Sequence, residues 1–140
     1  MKINTKHALE LWQNLFGDKE YAKDFSGALI CRCKYNERNA TVPFQFNDGQ
    51  EIHKIDVCVG WNIHHILPIS KGGTNDDENL AIINITTHDI IKDDTSFVIN
   101  GTAYEIRRKK GNSNAYYIAK QIVKVISSRA GWVGKNNSQA

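Results

Sequence analysis

The chain has 140 residues, room for one domain of ordinary size and not for two. Its 41% hydrophobic and 24% charged content, with two prolines and ten glycines, excludes collagen, coiled coil and disorder throughout. The net charge of +3 hides an uneven spread: net +1 over residues 1–71, −5 over 72–100 and +7 over 101–140. An acidic middle beside a basic end suits a polyanion-binding protein that also needs a cation; charge alone also fits plain solvation of a surface.

Thr5 is a plausible N-cap for a helix with Ala8, Leu9, Leu11, Trp12, Leu15 and Phe16 on its apolar side, ending at Gly17. Residues 18–27 read as a polar loop, and Ala28 to Cys31 as a short apolar run. Val42, Phe44 and Phe46 alternate into Asn47-Asp48-Gly49, and Ile52, Ile55, Val57 and Val59 follow, which predicts a hairpin. Trp61 to Ile69 is a second strand-like run, ending in the loop 70–75. The acidic start at Asp76 predicts a helix from near Asn79 to His88, with Ile82, Ile83, Ile85, Ile90 and Ile91 as its apolar side. Asn100-Gly101 between Phe97-Val98-Ile99 and Tyr104-Glu105-Ile106 predicts a second hairpin. Ala115 to Ser128 reads as a helix, with Ile118, Ile122, Val125 and Ile126 on one stripe and Lys120 and Lys124 on another. With no repeat and no low-complexity segment, the expectation is one α+β domain over 1–140. No apolar run approaches the roughly 18 residues of a membrane span and no signal-peptide core opens the chain, so the expected location is the cytoplasm. Cys31, Cys33 and Cys58 are an odd set for a reducing compartment, and no disulfide framework is expected.

The chemistry concentrates in residues 62–92, which hold three of the five histidines: His64, His65 and His88. Imidazole is the commonest metal ligand and the side chain best suited to take a proton near neutral pH. A turn at Gly72-Gly73 would return a helix carrying His88 over the strand carrying His64.

His64-His65-Ile66-x-Pro68, then Lys71-Gly72-Gly73, then Asn79-Leu80, then His88 nine residues past Asn79, resembles the HNH endonuclease family. The resemblance is tight over about 30 residues and looser at Asp24-Phe25-x-Gly27 and Trp61-Asn62-Ile63. It implies a ββα-metal core (motif 61–93) with an N-terminal helix, extra hairpins and a C-terminal helix. It also implies a metal-dependent endonuclease that hydrolyses DNA and leaves 5′-phosphate ends. Residue by residue, it makes His65 the general base, His64 and His88 the metal ligands, and Asn79 the residue that pins the loop and orients the histidines. Each position has a plainer reading. Successive strand residues face opposite sides, so His64 and His65 reach one phosphate only across a twisted or bulged strand. Asn79 also suits a helix cap, Gly72-Gly73 a simple turn and Pro68 a strand end. His7 and His53 read as structural.

Many members of the family carry two Cys-x-x-Cys pairs around a structural zinc. Here the matching positions before His88 are Asn84 and Thr87, and Cys31-Arg32-Cys33 has the wrong spacing for a zinc knuckle. No structural zinc is expected, and the cysteines read as small buried residues. Where some members have a third histidine, Lys92 stands, so two imidazoles make up the expected ligand set, with Asp89 and Asp93 as weak candidates to join them. The cofactor is then one divalent ion, with Mn²⁺, Co²⁺, Ni²⁺ or Zn²⁺ favoured over Mg²⁺. DNA contact falls to Lys71 and to Arg107, Arg108, Lys109 and Lys110, continued by Lys120, Lys124 and Arg129, with Tyr116, Tyr117 and Trp132 interleaved. The alternatives are a catalytically idle ββα module that binds DNA or a protein, and a toxin nuclease.

Overall fold

The computed structural model describes residues 3–111 and 115–121 and has an α+β architecture. Helix α1 (Thr5–Phe16) buries Ala8, Leu11 and Trp12. Its cap is Asn4, one residue before the one expected, because the Asn4 carboxamide reaches the His7 N–H at 2.8 Å. The expected loop of 18–27 contains strand β1 (Tyr21–Lys23), which pairs antiparallel with β2 (Leu29–Cys31).

Strands β3 (Thr41–Asn47) and β4 (Ile52–Cys58) form the expected hairpin, in register from Thr41↔Cys58 to Asn47↔Ile52. Its turn is closed by side chains: Asn47 Oδ1 accepts from Gly49 N, and Asp48 Oδ1 from Gln50 N and Glu51 N. Phe44, Phe46, Ile52 and Ile55 stay exposed on this ribbon.

Strands β5 (Trp61–His65) and β6 (Leu80–Asn84) pair antiparallel from Trp61↔Asn84 to His65↔Leu80, with helix α2 (Ile85–Ile91) directly after. Here the expected helix from Asn79 is overturned: 80–84 is a strand and only 85–91 is helical. The reason is that β6 runs between two cores. Leu80 and Ile82 join Trp12, Ile30, Trp61 and Ile63 on one side, while Ile83 joins Ile91, Phe97, Ile99 and Tyr104 on the other. Adjacent residues can feed opposite cores only from an extended chain, and a strand covered on both faces reads as an unbroken apolar run.

Strands β7 (Ser96–Ile99) and β8 (Thr102–Arg108) form the second expected hairpin, with positive φ at both Asn100 (51°) and Gly101 (80°). Strand β9 (Tyr116–Lys120) adds to β8, from Tyr104↔Lys120 to Arg108↔Tyr116. The helix expected from Ala115 is thus a strand through Lys120, because β8 offers an open edge and Ile118 packs on the second core. The rest of that expected helix, 122–128 with Lys124, lies outside the described residues, as do Arg129 and Trp132. Among the described residues no helix is long and apolar enough to cross a membrane.

Candidate metal centre and its supporting loop

His64 points from β5 toward α2. It is 3% exposed, and its ring centroid lies 5.3 Å from that of His88 in an edge-to-face arrangement. Its Nε2 is buried and has no hydrogen-bond partner among the described residues. Burial pushes its pKa down to about 4, with the nearby His88 and then His65 lowering it further and Asp93 opposing. The ring is therefore neutral at physiological pH. A buried polar atom without a partner normally costs stability. A neutral imidazole nitrogen aimed beside a second imidazole is what a borderline-soft divalent ion requires, so the residues present fit a metal. Among the described residues, no third His, Cys, Asp or Glu joins these two in a set with ligand atoms mutually within 4.8 Å. Both Asp89 oxygens accept from Arg38, and Lys92 is exposed at the end of α2.

The β5–β6 ladder carries no bulge, so His65 faces away from His64. Its Nε2 lies 2.7 Å from Asn75 Oδ1. An amide oxygen only accepts, so this contact puts the ring proton on Nε2 and leaves the Nδ1 lone pair free. His65 also lines an open cleft of about 520 Å³, together with Asn4, Thr5, Tyr35, Asn36 and Asn62. Sequence reasoning missed Asn75. Its only local signal was its place at the end of the glycine loop, ten residues past His65.

Asn79 is fully buried and spans the loop between β5 and β6. Its Oδ1 accepts from Leu67 N at 2.8 Å, while Nδ2 donates to Leu67 O at 3.0 Å and to Thr74 O at 2.8 Å. The helix-cap reading fails, since a strand follows Asn79. Gly73 is required by close approach: a Cβ there would sit 1.8 Å from Leu67 O and 2.9 Å from Asn79 Nδ2.

A polar cluster anchors the start of α2. Asp24 is buried, and its Oδ1 accepts from Ser26 N, Ser26 Oγ and Ala28 N, its Oδ2 from Asn84 N and Thr87 Oγ1. Asn84 caps α2 through Thr86 N and donates to Leu29 O and Cys58 O. Asn84 and Thr87, the two departures from a cysteine pair, thus hold α2 to β1–β2 and to β4 by hydrogen bonds.

Of the basic residues, Lys71 is exposed and donates to Asp93 O at 2.7 Å. Arg107 pairs with Glu105, and Arg108 lies over the Tyr116 ring at 5.8 Å. Lys109 and Lys110 are exposed and form no salt bridge among the described residues. Lys109 borders a groove with Ile66, Asp77, Glu78 and Tyr116, next along the chain from His65 and Asn79. His7 pairs with Asp77, and His53 with Asp48, both at 2.7 Å. Asp48, Glu51 and His53 also form a compact set of possible metal ligands on the β3–β4 turn.

Residues 49–93 match the family model described as HNH endonuclease, a stretch from the β3–β4 turn through α2 that leaves out α1 and the β7–β9 sheet. No curated protein and no solved structure matches the chain. With His64, His65, Asn79 and His88 all inside the matched stretch, residues 49–93 support the resemblance to the HNH endonuclease family, and the match suggests chemistry of the nuclease type.

Proposed function

We propose that residues 1–140 act as one metal-dependent HNH endonuclease domain that hydrolyses phosphodiester bonds in DNA. The observation that carries this reading is the buried Nε2 of His64, without a hydrogen-bond partner among the described residues and held neutral beside the ring of His88. These two imidazoles would hold one divalent ion, which would supply Lewis-acid stabilisation of the charge that develops at the scissile phosphate. His65 takes the proton of the attacking water on Nδ1, the nitrogen left free by the Asn75 contact. That attack breaks the P–O3′ bond and leaves a 5′-phosphate and a 3′-hydroxyl. Because His64 and His65 face opposite sides of β5, the phosphate lies across the end of the strand, where the loop tied by Asn79 begins. Lys71 and the run Arg107 to Lys110 hold the flanking phosphates.

The test is nicking of supercoiled plasmid DNA by the wild type and by His65→Ala, with end-mapping, across several divalent ions. Expected are 5′-phosphate ends, more activity with Mn²⁺ or Ni²⁺ than with Mg²⁺, and a loss of at least about 100-fold in His65→Ala with DNA binding kept. Equal nicking by both proteins would remove His65 as the base. Binding without cleavage under any ion would favour the idle module.

A further inference from the structure

We propose that Glu20, Cys31 and Cys33 form a second metal site, separate from His64 and His88, that takes a thiophilic divalent cation such as zinc. The three side chains come from two segments: Glu20 precedes β1, while Cys31 ends β2 and Cys33 lies in the short 3-10 turn that follows. Their ligand atoms lie within 4.8 Å of one another. The sulfurs are 3.4 Å apart, and Cys31 Sγ is 3.9 Å from Glu20 Oε2. A tetrahedral ion with bonds of about 2.3 Å to sulfur and about 2.0 Å to oxygen sets ligand separations of about 3.8 Å and about 3.5 Å. Two of the three edges, Cys31–Cys33 and Cys31–Glu20, therefore already stand within about 0.4 Å of such a tetrahedron, and the third spans no more than 4.8 Å.

The backbone holds them there. Arg32 N donates to Glu20 O at 2.8 Å, tying the two segments together at the site. Cys31 N donates to Val59 O, and Cys31 O accepts from Trp61 Nε1 at 2.7 Å. Cys31 is buried, whereas Glu20 and Cys33 are exposed, which leaves a fourth position for water. The Cys-x-Cys spacing that excludes a zinc knuckle does not bear on this site, because its third ligand comes from a different segment, just before β1. Two thiolates and one carboxylate select a borderline or soft ion over Mg²⁺ or Ca²⁺. Bound there, the ion would cross-link the β1–β2 hairpin beside Trp61, the first residue of the strand that carries His64 and His65.

The experiment is a Co²⁺ titration of the reduced full chain, followed by absorption and then displacement with Zn²⁺. Thiolate ligation gives a near-ultraviolet sulfur-to-cobalt charge-transfer band that histidine ligation alone does not, so the other centre does not mimic it. The expected result is a band saturating at one Co²⁺ per chain and bleached by Zn²⁺. It is kept in His88→Ala and Cys58→Ser, lost in Cys33→Ser, and weakened about tenfold in affinity in Glu20→Gln. Cys33 is exposed, so Cys33→Ser folds, and a circular dichroism spectrum checks it. Absence of the band in the wild type, its survival in Cys33→Ser, or its loss in Cys58→Ser overturns the proposal.

Discussion

Asp24→Asn exchanges one carboxylate oxygen for an NH₂ group in a side chain that accepts five hydrogen bonds. With the amide oxygen kept at the Ser26 and Ala28 side, the new NH₂ faces Asn84 N–H and the Thr87 hydroxyl. Thr87 can rotate and accept, but Asn84 N–H cannot, and it is left buried facing another donor. One stranded buried donor costs about 1–3 kcal/mol, and the bonds that remain lose the charge that strengthened them. A total of about 3 kcal/mol follows, which for a chain of this length is a fall in Tm of about 10 °C. The assay is thermal and urea unfolding of wild type, Asp24→Asn and Ser26→Ala. The last loses the hydroxyl's bond to Asp24 and its longer contact to Thr87, and is expected to cost about 1 kcal/mol. If Asp24→Asn melts within about 2 °C of the wild type, the carboxylate does not hold α2 as argued, and the account of Asn84 and Thr87 as the anchor of α2 fails with it.

Asn75→Ala releases the His65 ring without touching its chemistry; nicking is expected to fall by about 10- to 100-fold with Tm nearly unchanged, and the pH profile of kcat to shift, while an unchanged profile refutes a positioning role. In the metal-free chain His64 resists protonation down to about 4 when folded but takes a proton near its ordinary 6.5 when unfolded. The unfolded state then binds the extra proton as pH falls through that window, so urea unfolding is expected to lose about 3 kcal/mol between those limits, a slope that His64→Asn flattens. Replacing Arg107 to Lys110 with Ala is expected to weaken DNA binding and reduce its salt dependence; binding indifferent to salt from about 50 to 200 mM in the wild type counts against phosphate contacts there.

Both hairpins were legible because their turns are local chemistry: Asn47-Asp48-Gly49 and Asn100-Gly101 specify the reversal with no help from the rest of the chain. The spacing of His64, His65, Asn79 and His88 was legible for the same reason, and the fold sets the rings of the two ligand candidates, His64 and His88, edge to face. Strand β6 was misread as helix because a strand between two cores has no polar face to reveal its period. Strand β9 was misread because the open edge of β8 outweighs the helical spacing of its isoleucines. Asn75, the Asn84 and Thr87 donors to Asp24 and the Glu20–Cys31–Cys33 cluster depend on segments that meet only after folding, and no local pattern encodes such meetings.

Asn79 grips Leu67 at both its N–H and its carbonyl and Thr74 at its carbonyl, so one side chain gauges the path of the backbone between them. An insertion or deletion within 68–73 detaches one of those grips, whereas the exposed side chains of Ile69, Ser70 and Lys71 hang outside the bracket. Residues 69–71 beside the histidines are therefore free to vary by substitution, while the loop that contains them is closed to changes of length. Divergence there can retune what the surface touches while the frame beneath it stays fixed.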